Sequence, residues 1–290
     1  MKICVIGIGL IGGSIALTLK KKGLVSYVKG VEANQQHAER ALALGLADEI
    51  LPLEDAIHET DIIILSVPVS AAENMLPEIL DHITTQVVMD VGSTKYGLVK
   101  TVKDHPNRKR FVATHPMWGT EYSGPDAATL NSFSGKAVVV TDREDSDAEA
   151  LLKIENLYKT LGMHIVYMNS EAHDLHAAYV SHISHITSFA LANTVLEKER
   201  EEDKIFQLAS AGFESTVRLA KSNPDMWVPI FMQNRENVLD VLNEHITQLR
   251  KFKSCLEKEN YEYLRELIEK ANKIGKVLIE KQNTGLKNKV

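Results

Sequence analysis

Cysteine, aromatic residues and basic charge are all scarce in this chain of 290 residues. It has two cysteines, Cys4 and Cys255, 6% aromatic residues and a net charge of −6. Two distant cysteines build neither a disulfide framework nor a zinc site, so we expect a reducing, cytoplasmic location and no bound metal. An acidic chain lacks the basic face that nucleic-acid phosphates require, so we expect no nucleic-acid partner.

Long apolar runs are also lacking, apart from one uncharged stretch between Ile3 and Leu19. It is shorter than the roughly 20 residues that usually cross a bilayer. It contains four glycines, and no signal-peptide cleavage pattern follows it. A buried strand, a glycine turn and a buried helix explain the stretch better, so we expect no membrane partner.

The first 168 residues alternate between strand-like and helix-like segments. Several strand candidates are continuous Val/Ile/Leu runs, which is typical of parallel strands buried on both faces. Such alternation predicts βαβ units and a doubly wound sheet. The predicted strands are Lys2–Ile6, Val25–Val31, Asp61–Val67, Val87–Asp90, Phe111–Thr114, Ala137–Thr141 and His164–Tyr167. The predicted helices between them are Leu10–Lys22, Asn34–Leu44 and Asp147–Leu161.

The rest of the chain, residues 169–290, reads as helical. We expect one long helix over Ser170–Arg200, capped by Ser170, whose middle from Ala177 to Val195 is apolar nearly all round. A helix of that kind must be buried, and a second subunit is the expected cover in so small a domain. Further helices are predicted over Lys204–Lys221, Pro224–Asn260 (with a break) and Tyr261–Glu280. The predicted fold is therefore α/β, with an N-terminal Rossmann domain (1–168) and an all-α C-terminal dimerisation domain (169–290) that forms a homodimer.

A dinucleotide fingerprint opens the chain. A buried strand leads directly into Gly7-x-Gly9-x-x-Gly12 and then into a helix. Gly7 permits the tight turn, Gly9 lets the backbone approach a pyrophosphate, and Gly12 lets the helix pack on the strand. Glu32 follows at the end of the second strand, where a carboxylate binds ribose hydroxyls and repels a 2′-phosphate. We therefore predict NAD as the cofactor. The other predicted cofactor-binding residues are Leu10 and Ile11 at the helix start and Ser66, Val67 and Pro68 after the third long strand.

Polar clusters follow two further strands, so both should open onto the cofactor crevice. His115, after one of them, has the chemistry of a general base at neutral pH. Ser93, after the other, is placed to fix His115 or a substrate hydroxyl. The structural alternative for His115 is a loop histidine bonded to backbone.

The helical half carries histidines and one notable arginine. His182 and His185 share a helix face, but no further ligand stands at metal-binding spacing, so we interpret them as core or substrate-facing groups. His173 and His176 are expected to face solvent. Arg218 lies in an apolar stretch and needs an anionic partner, either an acidic side chain or a ligand carboxylate.

Taken in order, these motifs resemble the prephenate/arogenate dehydrogenase family of tyrosine biosynthesis. The resemblance covers nearly the whole chain. The matching segments are Gly7–Gly12, D-V-G-S-T-K at Asp90–Lys95, H-P-M-W-G-T-E-Y-S-G at His115–Gly124, S-H-I-S-H at Ser181–His185, G-F-E-S-T-V-R-L-A at Gly212–Ala220 and D-M-W at Asp225–Trp227.

The resemblance implies an enzyme that oxidatively decarboxylates prephenate to 4-hydroxyphenylpyruvate, or arogenate to tyrosine, with NAD. It implies that His115 is the base for the substrate hydroxyl and that Ser93 holds that hydroxyl. Arg218 would pair with a substrate carboxylate. The residues implied to line or gate the pocket are Thr120, Glu121, Ser181, His185 and Trp227.

Two other classes remain open on the sequence. Another two-domain dehydrogenase, such as a 3-hydroxyacid dehydrogenase or an imine reductase, would share the Rossmann half and the helical half, but would leave the His115 loop unexplained. A non-enzymatic NAD-binding sensor would bind the cofactor without turnover.

Overall fold

Within residues 1–202 and 204–279, which the computed structural model describes, eight strands form one sheet in the order β3-β2-β1-β4-β5-β6-β7-β8. All neighbouring strands are parallel except the β6–β7 pair, which is antiparallel. The strands are β1 (Lys2–Ile6), β2 (Tyr27–Val31), β3 (Glu49–Ile50), β4 (Ile62–Leu65), β5 (Val87–Asp90), β6 (Phe111–Pro116), β7 (Ala137–Thr141) and β8 (His164–Met168).

The sheet changes direction of growth beside β1. The chain adds β2 and β3 on one side of β1 and then returns to its other side with β4, where Ile6 pairs with Leu65. The carboxyl ends of β1 and β4 therefore lie together at a topological switch point, where open α/β sheets bind their ligands. This is the doubly wound sheet predicted from the sequence.

The core has two halves, one on each face of the sheet. Alternate residues of β1 enter opposite halves, Ile3 and Val5 on one face and Cys4 and Ile6 on the other. Because both faces are covered, both sets of side chains are apolar. This explains why the central strands read as continuous hydrophobic runs rather than as an alternating pattern.

Helices connect most of the strands and follow the last strand of the sheet. Several of them begin at side-chain caps; Asn34, for example, accepts from the N–H of His37, and Asp147 accepts from that of Ala150. The helices are α1 (Leu10–Lys21), α2 (Gln35–Ala43), α3 (Leu53–Ile57), α4 (Val69–His82), α5 (Tyr96–Thr101), α6 (Ala148–Thr160), α7 (Ser170–Ala177), α8 (Ile183–Glu202), α9 (Ala211–Val217), α10 (Pro224–Gln233), α11 (Arg235–Glu257) and α12 (Tyr261–Asn272).

The long helix predicted over Ser170–Arg200 has a different start and a different interior. Its cap is Asn169, whose side chain accepts from the N–H of Ala172, so the prediction of Ser170 as the cap is wrong. A π-helical turn, Ala178–His182, joins α7 to α8. Turns of this kind inside α-helices are frequent at functional sites.

The single helix predicted over Lys204–Lys221 is also wrong. The structure has the 3₁₀ turn Ile205–Leu208, then α9, then a second 3₁₀ turn, Arg218–Lys221. Ser210 has an extended backbone (φ −116°, ψ 172°) between the first turn and α9. Serine competes with helical hydrogen bonding, which favours such a break. The helix predicted over Tyr261–Glu280 is interrupted at Lys273, between α12 and a further helical segment over 274–279, and Glu280 lies outside the described part.

The expectation that the Ala177–Val195 segment is buried all round is only partly right for the single chain. Ala177 and Ala178 are buried, whereas Val180 is 65% exposed and Tyr179 is 44% exposed.

Contacts divide the chain into two compact units, Met1–Asn237 and Val238–Val290. The first contains the sheet and every side chain discussed as part of the site below. None of the described helices is long and apolar enough to span a bilayer.

Candidate active site

The turn after β1 needs two of its glycines for the fold itself. Gly7 has φ +87°, and its N–H donates to the carbonyl of Val31 at 2.9 Å. A Cβ on Gly7 would lie 2.5 Å from the carbonyl oxygen of Ser66, and one on Gly12 would lie 2.5 Å from that of Gly7. Side chains at these positions would push the turn away from β4 and α1 away from the turn.

Gly9 has a different role, because a Cβ there would approach only one atom, the amide nitrogen of Gly124 at 4.0 Å. It stands at the start of α1, which has no side-chain cap. In the described part of the chain, no hydrogen bond uses the N–H of Leu10 or Ile11. An open cradle with free N–H groups at a helix N-terminus fits a pyrophosphate.

The other predicted cofactor residues lie around this turn. Glu32 accepts from the N–H of Ile8 through Oε2 and from that of Asn34 through Oε1, both at 3.1 Å. The carboxylate is thus fixed beside the glycine turn, and each oxygen keeps a lone pair for a ribose hydroxyl. Ser66 follows β4 and Val67 would contact a Cβ on Gly7, while the exposed Pro68 begins α4.

His115 lies near the end of β6, at the edge of the sheet where β1 and β4 also end. Its Nδ1 is 2.9 Å from Nε2 of His173, and Nδ1 of His173 is 2.7 Å from Oδ1 of Asp174. His173 is only 2% exposed. The expectation that it faces solvent is therefore wrong, while His176, one turn further along, is exposed as expected.

The surroundings of His115 favour its neutral form. Burial lowers the pKa of His115 well below its usual range, and the nearby His173, Lys95 and His182 lower it further. Lys95 is itself fully buried and ion-paired with Asp90. A neutral imidazole bonded through Nδ1 has Nε2 as its remaining nitrogen. Among the residues that the structure describes, no hydrogen bond uses Nε2.

Ser93 lies close in sequence to these groups but is not bonded to His115. It belongs to the loop between β5 and α5, which Asp90 organises by accepting from the N–H of Gly92 at 2.9 Å. No hydrogen bond of Ser93 is present in the described chain. Its predicted role toward a substrate hydroxyl remains a prediction.

A second group of predicted residues gathers around Trp227. The ring of His185 stacks on Trp227 with centroids 3.5 Å apart, and His182 meets the same indole edge-on at 5.9 Å. Nδ1 of His185 is 3.0 Å from the carbonyl oxygen of Ser181. Burial lowers the pKa of His185, the hydrogen bond to the carbonyl of Ser181 raises it, and the charge of Arg218 lowers it further.

Arg218 has the acidic partner that the sequence requires. Its Nη1 donates to Oε2 of Glu121 at 3.0 Å. The Arg218 side chain is 50% exposed and that of Glu121 is 14% exposed. The pair joins the loop after β6 to the 3₁₀ turn after α9. Thr120, beside it, is exposed, and its hydroxyl accepts from the N–H of Tyr122 at 3.3 Å.

His173 and Asp174 are parts of the site that were not predicted from the sequence. The two form an adjacent His-Asp pair in the second turn of α7. That pairing was the available signal, since a buried carboxylate next to an imidazole is a common way to orient a base. The pattern of α7 alone does not show that this side of the helix meets β6.

A dinucleotide cradle at the switch point and a neutral histidine at the same sheet edge define a class of protein. That class is the Rossmann-type dehydrogenase, in which a histidine takes the proton of a substrate hydroxyl.

Comparison with known proteins narrows this class. Residues 15–167 match the family model described as prephenate dehydrogenase, nucleotide-binding domain, and residues 169–270 match prephenate dehydrogenase, dimerization domain. The chain is 32% identical to a prephenate dehydrogenase of Bacillus subtilis over 89% of this chain and 71% of the relative. It is 31% identical to a cyclohexadienyl dehydrogenase of Zymomonas mobilis over 93% and 94%.

A solved structure gives the same result. Prephenate dehydrogenase from A. aeolicus, in complex with hydroxyphenyl propionate and NAD+, superposes with a TM-score of 0.84 at 30% identity, covering 97% of this chain and 98% of that one. The chain belongs to the prephenate dehydrogenase family. The predicted family, fold class and oxidoreductase activity are thereby confirmed.

Proposed function

We propose that this chain catalyses the NAD-dependent oxidative decarboxylation of prephenate to 4-hydroxyphenylpyruvate, a step of tyrosine biosynthesis, with His115 as the base. One observation supports this most directly. His115 is bonded through Nδ1 to His173, at the same sheet edge as the dinucleotide cradle, in surroundings that lower its pKa well below its usual range.

The cofactor would be held by the residues around the glycine turn. The open face of Gly9 and the free N–H groups of Leu10 and Ile11 suit the pyrophosphate, and Glu32 suits the adenosine ribose. The nicotinamide ring supplies the hydride acceptor when NAD is bound. A fixed carboxylate at Glu32 would repel a 2′-phosphate, so NAD is preferred over NADP.

His115 has both an acceptor role and a donor role. Its Nε2 takes the hydroxyl proton as a hydride leaves the same carbon. The resulting dienone loses its ring carboxylate as CO2, and the released electron pair makes the ring aromatic with a phenolate oxygen. The imidazolium then returns the proton to that oxygen, so no net proton is released. Aromatisation drives the step, and the chain supplies orientation and charge placement.

Arg218 is the candidate partner for a substrate carboxylate. Its guanidinium is half exposed, and its Nη1 bond to Glu121 leaves other N–H groups available. The stacked rings of His185 and Trp227 are proposed to form an aromatic wall for the six-membered ring of the substrate. Thr120, Ser181 and Ser93 are proposed to line the same pocket.

The choice between prephenate and arogenate depends on charge near Glu121. Arogenate carries an ammonium group where prephenate carries a ketone. Glu121 would attract that ammonium if its charge were free, but Arg218 neutralises it at 3.0 Å. This pairing favours prephenate as the substrate.

The proposed organisation has a nucleotide-binding domain over residues 1–168 and a helical domain over residues 169–290. The ends of the two family matches, at 167 and 169, support that boundary. The match to a dimerization domain supports self-association, and we propose a homodimer. The two free cysteines support a cytoplasmic location.

Absorbance at 340 nm tests the function and the two preferences together. The purified protein should form NADH from NAD with prephenate faster than with arogenate, and kcat/KM for NAD should exceed that for NADP. A higher kcat/KM for arogenate would replace the proposed substrate. Cofactor binding without NADH formation from either compound would favour the sensor alternative.

A further inference from the structure

We infer that His173 and Asp174 are positioning residues that hold His115 in the tautomer protonated at Nδ1, with Nε2 free to accept the substrate proton. The inference deepens the proposed function, because it explains how the base is kept in the form that function needs.

The chain of hydrogen bonds fixes the direction of each donor. An ionised carboxylate only accepts, so Nδ1 of His173 carries the proton in its 2.7 Å contact with Asp174. With a neutral ring, Nε2 of His173 then has a lone pair and accepts. Nδ1 of His115, 2.9 Å away, must therefore donate. The two rings meet edge-on, with an interplanar angle of 70°.

Asp174 is anchored independently of the histidines. Its Oδ1 also accepts from the N–H of Lys95 at 2.8 Å, and its Oδ2 accepts from that of Tyr96 at 2.9 Å. The side-chain amide of Asn234 donates to its carbonyl oxygen at 2.7 Å. A carboxylate that accepts from two backbone N–H groups is held in place, so it sets the tautomer of His173 rather than adapting to it.

The carboxylate of Asp174 also offsets the effect of the other groups that face His115. His173, Lys95 and His182 each disfavour the imidazolium form of His115. Lys95 is balanced by Asp90 in a fully buried pair. Asp174 acts through His173 and stabilises the imidazolium that forms when His115 takes the proton. A buried aspartate has the same orienting role toward the histidine of serine hydrolases.

Nitrogen-15 NMR of the histidine-labelled protein, without substrate or cofactor, reads the tautomers directly. We expect His115 and His173 both to be protonated at Nδ1, with their signals assigned by the His115→Asn and His173→Phe variants. In Asp174→Asn, and in His173→Phe, His115 should become a mixture of tautomers. A proton on Nε2 of His115 in the wild type, or an unchanged His115 spectrum in both variants, would overturn the inference.

Kinetics supply a second measure. His173→Phe removes both nitrogens and keeps a ring in the same space. It should lower kcat by about 10- to 100-fold, part of the usual contribution of a general base, with little change in KM. His176→Phe, on the exposed side of the same helix, is the matched control and should behave as wild type.

The possible outcomes separate the inference from the proposed function. Equal kcat in His173→Phe and wild type contradicts the positioning role. A raised KM with unchanged kcat also contradicts it and would assign His173 to substrate binding. If wild-type protein does not oxidise prephenate, the proposed function fails while the NMR result still decides the tautomer. If Asp174→Asn does not fold, because Lys95 and Tyr96 lose an acceptor, His173→Phe decides alone.

Discussion

Arg218 and Glu121 pair across a partly open site, where the remaining N–H groups of the guanidinium can bind a substrate carboxylate while Glu121 stays bonded to Nη1. A pair that is half exposed on the arginine side contributes little to stability, about 0–1 kcal/mol. The arginine is therefore better explained by binding than by folding.

Arg218→Gln tests that assignment. The change should raise KM for the substrate by an amount equivalent to roughly 2–4 kcal/mol, because a desolvated carboxylate would lose its partner. The melting temperature should hardly change. Steady-state kinetics and thermal unfolding measure the two quantities, and Arg235→Gln, an exposed arginine paired with Glu236, is the control. A lower melting temperature with unchanged KM would make Arg218 a structural ion-pair partner.

The buried His182 should make the stability of the fold depend on pH. Burial lowers its pKa to about 4, with opposing attraction from Asp174 and smaller contributions from His173 and His185. In the unfolded chain a histidine has a pKa of about 6.5. Between these values the unfolded state binds more protons than the fold, so stability falls as the pH drops from about 6.5 toward 4.

Denaturant unfolding at pH 7.5 and pH 5 checks this sign. The wild type should be less stable at pH 5, and His182→Gln should lose less stability between the two pH values. Gln keeps an acceptor for the side chain of Asn234, which lies 3.1 Å from Nδ1 of His182. His58→Gln, at an exposed position, should behave as wild type. Equal pH sensitivity in His182→Gln and wild type would mean that other groups cause the loss.

Among structural elements, the turn between β1 and α1 contains glycines with two different roles. Gly7 and Gly12 are needed for the fold, whereas Gly9 is proposed to face the cofactor. A Cβ on Gly12 would overlap the carbonyl of Gly7, whereas a Cβ on Gly9 would meet open space. The backbone of Gly9, with φ −97°, is also accessible to alanine.

The paired variants Gly9→Ala and Gly12→Ala should therefore fail differently. Gly9→Ala should keep the wild-type melting temperature but bind NAD at least tenfold more weakly, because its methyl group occupies the pyrophosphate position. Gly12→Ala should lower the melting temperature. Thermal unfolding and NAD titration measure both effects. Full NAD affinity in Gly9→Ala would place the pyrophosphate elsewhere.

The central strands could be predicted because their signal is local. β1, β5 and β7 have the predicted bounds, since each is an apolar run buried on both faces. β3 was missed because a strand of two residues, Glu49–Ile50, has no recognisable pattern. The break at Ser210 was missed because the flanking residues are compatible with a continuous helix.

The site was predictable only where its residues follow a strand or match a motif. His115 met both criteria. His173 lies 58 residues further along, on a helix whose sequence does not reveal which neighbour it packs against. Its burial arises from contact between distant elements. The Arg218–Glu121 pair joins residues 97 apart and could be anticipated only as a choice between two kinds of partner.

For the molecule as a whole, the apolar side chains that are exposed on the α7–α8 helix indicate a surface that is buried against another protein. Val180 in the π turn is 65% exposed, which is costly for a valine among apolar neighbours. A second copy of the chain would bury it.

Light scattering should therefore give a mass of twice 32.3 kDa at micromolar concentration. Val180→Lys should shift the protein toward the monomer, because it places a charge in an apolar interface. Leu152→Lys, at a 55% exposed position of α6, should leave the mass unchanged. A wild-type mass near 32.3 kDa would contradict the dimer, and a dimeric Val180→Lys would move the interface elsewhere.

In the proposed mechanism, His115 takes the hydroxyl proton of prephenate as NAD accepts the hydride. The most direct measurement compares NADH formation at 340 nm by the wild type and by His115→Asn, with prephenate and NAD varied in turn. Asparagine keeps a hydrogen-bonding side chain but removes the base. We expect kcat to fall by about 100-fold or more, with KM for prephenate and the affinity for NAD nearly unchanged. A variant that folds and keeps a wild-type kcat would contradict that mechanism.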